Sequence, residues 1–267
     1  MTALTAARRM LHLGWVALTN CVFYPVMLLW TICGAALFPI GFPLWKGVTR
    51  WDSARIMRQF IWIYGRVWIL LTFPFLRIRL ARFPGPVTKP GILVVNHLSF
   101  LDTYVMGALP FSDVVFAVRA WPFKMFWYAP FMRLAEYMNV EELGWEGCLS
   151  TCKRLFGSGA YVLFFPEGHR SKDGKIQRFH SGPFKIAVET GVPVIPLCIT
   201  GTDTVLPPFR RFVRPAKVCL HVLPPVYPSA YSGPDAHLKM SKDVKQQMVD
   251  HLSLMKEGLH RTGKAAL

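Results

Sequence analysis

The chain has 267 residues, 52% of them hydrophobic, and its 31 Lys and Arg residues against 15 Asp and Glu residues give a formal net charge of +16. This length suffices for one α/β domain with a buried core and further elements. The sequence contains no recognised nucleic-acid-binding motif. Together with the high mean hydropathy of +0.31, the charge therefore favours a membrane surface over nucleic acid as the partner.

The first predicted element is a long apolar segment, with no Asp, Glu, Lys or Arg between Arg9 and Lys46. It exceeds the roughly 20 residues of one membrane span, contains several prolines and is too long for a cleaved signal peptide. Basic residues flank it on both sides, which favours a hairpin that enters the bilayer and returns, with a single N-terminal span as the alternative. Residues 60–76 carry Arg66 and predict an interfacial helix. We assign residues 1–75 to a membrane-associating helical segment and residues 76–267 to an α/β domain.

Beyond residue 75, short apolar runs alternate with segments of helical periodicity. The predicted strands are residues 76–80, 91–95, 114–118, 160–165, 192–199 and 217–222. The predicted helices are residues 145–156, ended by Gly157, residues 183–190, ended by Gly191, and an amphipathic tail over residues 237–259. Prolines and a glycine between residues 84 and 90 predict a turn. This order of elements predicts a three-layer α/β domain.

The six cysteines lie mostly inside apolar runs and match neither a disulfide framework nor a metal-binding pair. Cys148 and Cys152, four residues apart on a predicted helix, are interpreted as core packing. We therefore predict a reduced, cytosol-facing protein with no metal site and no cofactor.

His97 and Asp102 follow the predicted strand 91–95, where sites on α/β folds are usually built. An aspartate five positions after a histidine can fold back to hold the ring nitrogen that does not face substrate. The alternative readings are a structural turn histidine and a helix N-cap aspartate. Ser99 lies inside the motif, but no Gly-x-Ser-x-Gly elbow surrounds it, so a serine nucleophile is disfavoured.

A second block, Phe-Pro-Glu-Gly-His-Arg-Ser at residues 165–171, follows another predicted strand. Gly168 permits close approach of backbone to a ligand, Arg170 suits phosphate, and Glu167 is expected to orient a donor or to accept from a hydroxyl. Residues 178–185 place basic groups at a helix start, a natural anion site. Residues 191–196, which include Pro193, are suited to line an acyl-chain groove.

In this order the blocks resemble the glycerophospholipid acyltransferase family, over roughly residues 75–225. The family's His-x4-Asp motif matches His97 and Asp102, its Phe-Pro-Glu-Gly-x-Arg-Ser motif matches residues 165–171, and the proline of its last block matches Pro193. The resemblance implies a membrane-anchored α/β acyltransferase domain. Its reaction would move an acyl group from acyl-CoA or acyl carrier protein to the hydroxyl of a lysophospholipid such as 1-acylglycerol-3-phosphate, giving phosphatidic acid.

The resemblance also implies roles for individual residues. His97 would be the general base and Asp102 would orient it. Backbone N–H groups around Gly168 would stabilise the oxyanion, and Arg170, with Ser171 and Glu167, would hold the acceptor head group. The implied location is the inner or cytoplasmic membrane with the active site facing the cytoplasm, and nucleic acid is not an expected partner.

One block departs from the family pattern. The family's Gly-x-x-Phe-x-Asp-Arg segment falls near residues 136–142, where Glu136 replaces the glycine and an acidic residue stands near the arginine position. Arg119, Lys124 or Arg133 are candidates to replace that arginine. Two alternatives stay open: an acceptor that carries an amine, such as lyso-ornithine lipid, facing the glutamates at 141 and 142, and a non-catalytic membrane lipid-binding protein.

Overall fold

The computed structural model describes the backbone of residues 3–73, 75–80, 90–208 and 210–264, and the side chains of these residues except 3–9, 12 and 256–264. Within these ranges, seven strands form one sheet in the order β1-β7-β6-β2-β5-β3-β4. All neighbouring strands are parallel except β6 and β7. The strands are β1 Leu76–Leu80, β2 Ile92–Val95, β3 Val114–Val118, β4 Met138–Asn139, β5 Tyr161–Phe164, β6 Val194–Thr200 and β7 Ala216–Val222.

The helices form two groups with the sheet between them. One group contains α1–α4 and the other contains α5, α6 and α8. The chain moves along the sheet in one direction from β2 to β4 and in the other direction from β4 to β6, and right-handed crossovers then place the connecting helices on opposite faces. The predicted three-layer α/β fold is thereby confirmed. The helices are α1 Ala3–Thr49, α2 Ser53–Thr72, α3 Asp102–Val105, α4 Ala129–Leu134, α5 Val140–Gly157, α6 Gly182–Thr190, α7 Thr202–Val205 and α8 Ala236–Lys264.

The six predicted strands and three predicted helices are present with small shifts at their ends. Gly191 ends α6 in the left-handed conformation with φ 71, as the C-cap signal predicts. The two-residue strand β4 and the short helices α3, α4 and α7 were not predicted, because segments of this length carry too little periodicity to detect. The turn predicted at residues 84–90 lies almost wholly outside the described residues.

The apolar N-terminal segment is one continuous helix, α1, rather than a hairpin. The predicted return within this segment is therefore wrong: Pro25, Pro39 and Pro43 all lie inside the helix, and the chain reverses only at Arg50, whose φ is 58. Arg8 and Arg9, used for the hairpin prediction, have side chains outside the described residues. Among the described residues, Leu13–Thr49 is the one helical segment long and apolar enough to cross a membrane.

An aromatic ladder joins α1 to the antiparallel helix α2. Its ring pairs have centroids 5.6 to 6.0 Å apart: Trp15–Phe75, Phe23–Trp68, Trp30–Tyr64, Phe38–Phe60 and Trp45–Phe60. Each aromatic pair adds about 0.5–1.5 kcal/mol beyond the area it buries. The ladder runs along some 30 residues of α1, or about 45 Å of helix. The opposite face of α1 is apolar and exposed, with Leu11, Leu28, Leu37, Ile40, Leu44 and Val48 all at 62% or more.

Helix α2 is tied to the sheet domain by close packing and by a buried ion pair. A Cβ on Gly107, just after α3, would lie 2.6 Å from the carbonyl carbon of Gly65, so the two backbones touch. Arg58, only 4% exposed, donates from Nε to Asp113 Oδ1 at 2.6 Å and from Nη1 to the Ala135 carbonyl at 3.0 Å. The predicted interfacial helix therefore forms part of the layer that covers the sheet, while Arg66 is exposed and stacks on Trp62.

Candidate active site

His97 and Asp102 are in direct contact at the carboxyl edge of the sheet. The strands β2, β3, β5 and β6 are parallel, so the residues that follow them meet at this edge. His97 Nδ1 lies 2.8 Å from Asp102 Oδ2, the aspartate is fully buried and the histidine side chain is 19% exposed. Because Nδ1 is engaged, Nε2 is the nitrogen left to accept a proton from a substrate.

Asp102 also fixes the turn that carries His97. Its Oδ2 accepts the backbone N–H groups of Leu98 and Ser99 at 2.7 and 2.9 Å, so the side chain folds back on the turn and does not cap the following helix. Its Oδ1 is buried without a partner among the described residues. Ser99 is fully buried and donates to the Leu206 carbonyl, so it is not placed as a nucleophile.

Two residues that the motif reading did not single out hold the histidine segment from either side. The Asn96 amide exchanges two hydrogen bonds with the backbone of Ile199 on β6, at 3.0 and 2.8 Å. The Phe165 ring stacks on the His97 ring with centroids 4.2 Å apart and planes 27° apart. These contacts fix the imidazole plane. The sequence signal was present, since Asn96 directly precedes His97 and Phe165 is the first residue of the second motif.

Glu167 holds backbone and does not face the open site. It is 2% exposed; Oε1 accepts the His97 N–H at 2.9 Å and Oε2 accepts the Gln177 N–H at 2.8 Å. Burial raises the pKa of this carboxyl, and the two backbone donors partly offset that shift. Each Glu167 oxygen therefore already accepts one backbone N–H group, and contact of this side chain with the acceptor stays a prediction.

Ser171 and Gly168 also serve the local backbone. Ser171 is buried, its N–H donates to the His97 carbonyl at 2.7 Å, and its hydroxyl lies 2.9 Å from Asp173 Oδ1 and 2.8 Å from the Lys175 carbonyl. It therefore does not hold a head group here. Gly168 has φ 70 and donates its N–H to the Phe165 carbonyl, so this N–H is already used and does not serve an oxyanion.

Arg170, within this block, and Arg178, seven residues beyond its end, are the exposed arginines of this loop. Within the part of the chain that the structure describes, neither forms a salt bridge, so both guanidinium groups remain available to an anion. Lys185, from the predicted anion site, instead lies over the Trp145 ring with Nζ 4.1 Å from its centroid.

Acidic residues of the segment at residues 136–142, which departs from the family pattern, form ion pairs. Arg119 Nε bonds to Glu141 Oε1 at 2.7 Å, and the Ala120 N–H donates to the other oxygen of the same carboxylate. These hydrogen bonds, together with the charges of Arg119 and Lys124, lower the pKa of Glu141. Glu142 accepts from the Asn139 amide at 3.0 Å. Arg119 is therefore already partnered and is a poorer candidate for the missing arginine than the sequence implied.

The backbone at Glu136 keeps the conformation of the glycine that the family pattern has there. Its φ is 55, in the left-handed region that glycine adopts without strain, and its carboxylate bonds Arg154 at 2.8 Å. The substitution therefore changes the side chain while the turn persists. Arg133, the third candidate for the missing arginine, is exposed on α4.

Pro193 does not lie with the other residues. It precedes β6 at the amino edge of the sheet, where its carbonyl accepts the Ile92 N–H, and it is buried. His97 follows the carboxyl end of the neighbouring parallel strand β2. The length of β2, about 13 Å at roughly 3.3 Å per residue, separates the two positions. Pro193 is therefore buried and distant from His97, and its contact with substrate stays a prediction.

The cysteines and the other titratable groups provide no metal centre among the described residues. All six cysteines are free, and burial raises the pKa of Cys152 to about 12 and that of Cys198 to about 12. Such thiols are inert at neutral pH. Cys148 and Cys152 are both buried on α5, as the core-packing interpretation predicts.

Comparison with known proteins agrees with this geometry. The Acyltransferase family pattern matches residues 80–200. A chloroplastic 1-acyl-sn-glycerol-3-phosphate acyltransferase of Brassica napus is 35% identical over 57% of this chain and 46% of its own length. A chloroplastic enzyme of the same name from Arabidopsis thaliana is 34% identical over 64% of this chain and 48% of its own length. The chain thus spans about half the length of these plant relatives. Over its α/β domain the chain is similar to these glycerophospholipid acyltransferases.

The fold has a solved counterpart. The crystal structure of a 1-acyl-sn-glycerophosphate (LPA) acyltransferase from Thermotoga maritima superposes with a TM-score of 0.67, covering 92% of this chain and 98% of that one at 24% sequence identity. At this identity the likeness concerns the fold. It includes the N-terminal helices, because a match over 92% of the chain must extend beyond the α/β domain.

Proposed function

We propose that this protein is a membrane-bound acyltransferase that moves a fatty acyl group from a thioester to the free hydroxyl of a lysophospholipid such as 1-acylglycerol-3-phosphate, giving phosphatidic acid. The observation that carries the proposal is the 2.8 Å contact between His97 Nδ1 and the fully buried Asp102 carboxylate. The relatives named above support the same acceptor.

The chemistry follows from the free Nε2 of His97. The acceptor hydroxyl gives its proton to Nε2 as its oxygen attacks the thioester carbonyl carbon. The tetrahedral intermediate then collapses with cleavage of the carbon–sulfur bond. The thiolate leaves and takes the proton from the imidazolium, so the products are an ester and a free thiol. Asp102 stabilises the imidazolium between these steps, and no enzyme nucleophile or cofactor is required.

The exposed guanidinium groups of Arg170 and Arg178 are the proposed anchors of anionic substrate groups. Both belong to the loop that follows β5, beside the histidine turn, and both are exposed without an ion-pair partner among the described residues. An arginine fork suits a phosphate on the acceptor or on a coenzyme A or acyl-carrier donor.

The bilayer association rests on α1. Its exposed apolar face is too large for a water-facing surface, and the ladder to α2 and Phe75 extends along about 45 Å of α1. A helix bound to the domain along that length is better suited to lie in the membrane interface than to cross the hydrocarbon. We infer a location on the cytoplasmic face of a membrane, with the basic surface towards anionic lipid.

A second acceptor class is favoured by one observation. At the position of the family arginine the chain has an acid, and Glu141 neutralises Arg119. Glu142 offers its carboxylate at the surface beside it. These carboxylates would bind an amine, such as the one in a lyso-aminolipid of the lyso-ornithine type.

One experiment distinguishes the two acceptor lipids from each other and from a non-catalytic lipid-binding protein. Membranes containing the wild-type chain or His97→Ala are given lysophosphatidic acid or lyso-ornithine lipid, each with labelled acyl-CoA or acyl carrier protein. We expect phosphatidic acid from the wild type and at least about a 10³-fold loss in His97→Ala. Preference for lyso-ornithine lipid would support the second acceptor. Equal acyl transfer by both chains would refute the catalytic role and leave a lipid-binding protein.

A further inference from the structure

A cluster of exposed aromatic rings follows β3, at the sheet edge that carries His97. The aromatic loop, residues 121–128, begins just beyond the carboxyl end of β3 and contains Trp121, Phe126 and Trp127, which are 57%, 80% and 59% exposed. Large rings at such exposure, side by side, are unusual on a water-facing surface. The proposed chemistry uses none of them.

The charges around the aromatic loop are mainly positive. Lys124 lies within it, and Arg119 and Arg133 flank it; all three are exposed. The acid that faces them is Glu141, which pairs with Arg119 and leaves Lys124 and Arg133 without an ion-pair partner among the described side chains. Trp rings interleaved with Lys and Arg are typical of protein segments that lie at the level of lipid head groups.

The aromatic loop is connected to α1 through α4, the helix that follows it. It leads directly into α4, whose Phe131 packs edge-on against Phe38 of α1 with centroids 5.6 Å apart. Phe38 also belongs to the aromatic ladder, and neighbouring residues such as Leu37 and Ile40 are more than 60% exposed. The helix after the aromatic loop therefore packs against the part of α1 that carries these exposed residues.

The same surface reaches the catalytic turn. Phe100, between His97 and Asp102, is 45% exposed and contacts the Tyr104 ring with centroids 5.8 Å apart. Tyr104 in turn contacts Tyr64 and Trp68 of α2. Exposed aromatic rings thus occur both within the catalytic turn and on the aromatic loop, at one edge of the sheet.

We propose that the aromatic loop is a second membrane contact, in which Phe126 and Trp127 insert among the head groups of an anionic bilayer and Lys124 and Arg133 bind lipid phosphates. This contact would hold the mouth of the catalytic site against the leaflet that contains the acceptor. The inference rests on the membrane association in the proposed function, but not on the identity of the acceptor or on turnover.

The test is a fluorescent probe at one loop position. Cys21, Cys33 and Cys219, the cysteines with exposed or partly exposed side chains, are replaced by alanine, and Phe126→Cys is labelled with an environment-sensitive dye. Tyr227→Cys is the matched control: this aromatic residue is 53% exposed but adjoins Val226, which pairs with Val194 at the opposite edge of the sheet. Each chain is mixed with phosphatidylglycerol–phosphatidylcholine vesicles, with and without a quencher attached near the lipid head group.

We expect the dye at residue 126 to shift to shorter wavelength and to be quenched, and the dye at residue 227 to remain unchanged. Vesicle flotation of the same samples distinguishes membrane association of the whole chain from the contact made by the loop. Flotation with an unquenched probe at 126 would overturn the loop contact alone. Failure of the chain to float would overturn the membrane association and the loop contact together, whatever acyl transfer it retains in detergent.

A double substitution gives a second readout. Phe126→Ser/Trp127→Ser changes only exposed side chains, so the fold should persist by circular dichroism. We expect kcat/KM for an acceptor presented in vesicles to fall about tenfold, with little change for a short-chain acceptor dissolved as monomer. An equal loss on both substrates would indicate damage to the site and overturn the loop contact.

Discussion

The Glu167 carboxylate accepts the backbone N–H of His97 at 2.9 Å and thereby joins two motifs that are 70 residues apart in the chain. The same carboxylate binds the Gln177 N–H, and the Ser171 N–H returns a bond to the His97 carbonyl. Two hydrogen bonds therefore hold the histidine backbone to the loop after β5, and the third closes that loop on itself. Glu167 and Ser171 of the second motif therefore support the histidine turn from behind, while Arg170 of the same motif is exposed.

Glu167→Gln should lower kcat and leave the KM for the acceptor unchanged. The amide provides one acceptor where two N–H donors converge, so one donor loses its bond and His97 shifts. A displacement of this kind costs about 10²-fold in rate. Steady-state kinetics with varied acceptor measure the split. Glu189→Gln, an exposed residue on α6, is the control. A rise in KM with unchanged kcat would instead indicate that Glu167 touches the acceptor.

Asp102→Asn should reduce kcat by about 10³–10⁴-fold while the chain stays folded. The asparagine oxygen still accepts from the backbone of the turn, but the neutral group no longer stabilises the imidazolium or fixes the tautomer. The pH profile of kcat measures the change, because the limb that reports the base should shift or vanish. The exposed residue Asp235, changed to Asn, controls for charge. An unaltered profile would contradict the pairing of Asp102 with the base.

Gly168→Ala should destabilise the fold by about 1–2 kcal/mol and impair transfer. The residue has φ 70, and an added Cβ would lie 3.0 Å from His180 Nε2, so strain and crowding coincide. Gly157→Ala is a matched control at the end of α5, where a Cβ meets nothing within 4 Å. Urea unfolding compares the two. Equal stability of both variants would argue against the strain.

Arg58→Ala should lower the free energy of unfolding by about 2–4 kcal/mol, because it leaves the Asp113 carboxylate and the Ala135 carbonyl without their buried donor. Arg66→Ala, at an exposed residue of the same helix that stacks on Trp62 and reaches the Leu109 carbonyl only at 3.5 Å, should cost less, about 0.5–1 kcal/mol. Denaturant titration of both variants in one detergent measures the difference. Similar losses for the two arginines would contradict the tie between α2 and the domain.

Acid should weaken the packing of α8 through a histidine pair. His221 Nδ1 and His251 Nε2 are 2.9 Å apart; burial lowers the pKa of both, and His251 lowers that of His221 further. Because the pKa values of the pair in the folded chain lie below the unfolded value, the neutral pair stabilises the fold fully above about pH 6.5. This stabilisation is lost as the pH falls below that value, since the unfolded chain then binds protons more readily than the folded chain.

The variant His221→Gln/His251→Gln should therefore lose less Tm than the wild type between about pH 7.5 and about pH 5.5, by on the order of 1–3 °C. Thermal scans by circular dichroism at the two pH values supply the comparison. His237→Gln, at the start of α8, serves as the control. An identical acid-induced drop in the double variant would rule out this pair as its source.

Most of the sheet was predictable because its strands are short apolar runs bounded by glycine and proline, as at residues 91–95 and 160–165. The pairing of His97 with Asp102 was predictable for the same reason, since the spacing within one turn limits where the aspartate reaches. The roles of Glu167 and Ser171 were not, because they depend on residues 173–177 folding back, a contact without local periodicity. The continuity of α1 was also missed: its prolines indicated a break, but the helix continues through them while its aromatic side chains pack against α2.

The ladder, the contact of Gly65 with Gly107 and the Arg58 ion pair leave no flexible linker between α1 and the sheet. With α1 lying in the interface, the depth of His97 relative to the leaflet is set by packing and does not vary with a tether. The two substrates then arrive by different kinds of diffusion. The lysolipid searches in two dimensions within the leaflet and the thioester in three from the water, so the lipid's surface density, more than its bulk concentration, would govern the rate of encounter.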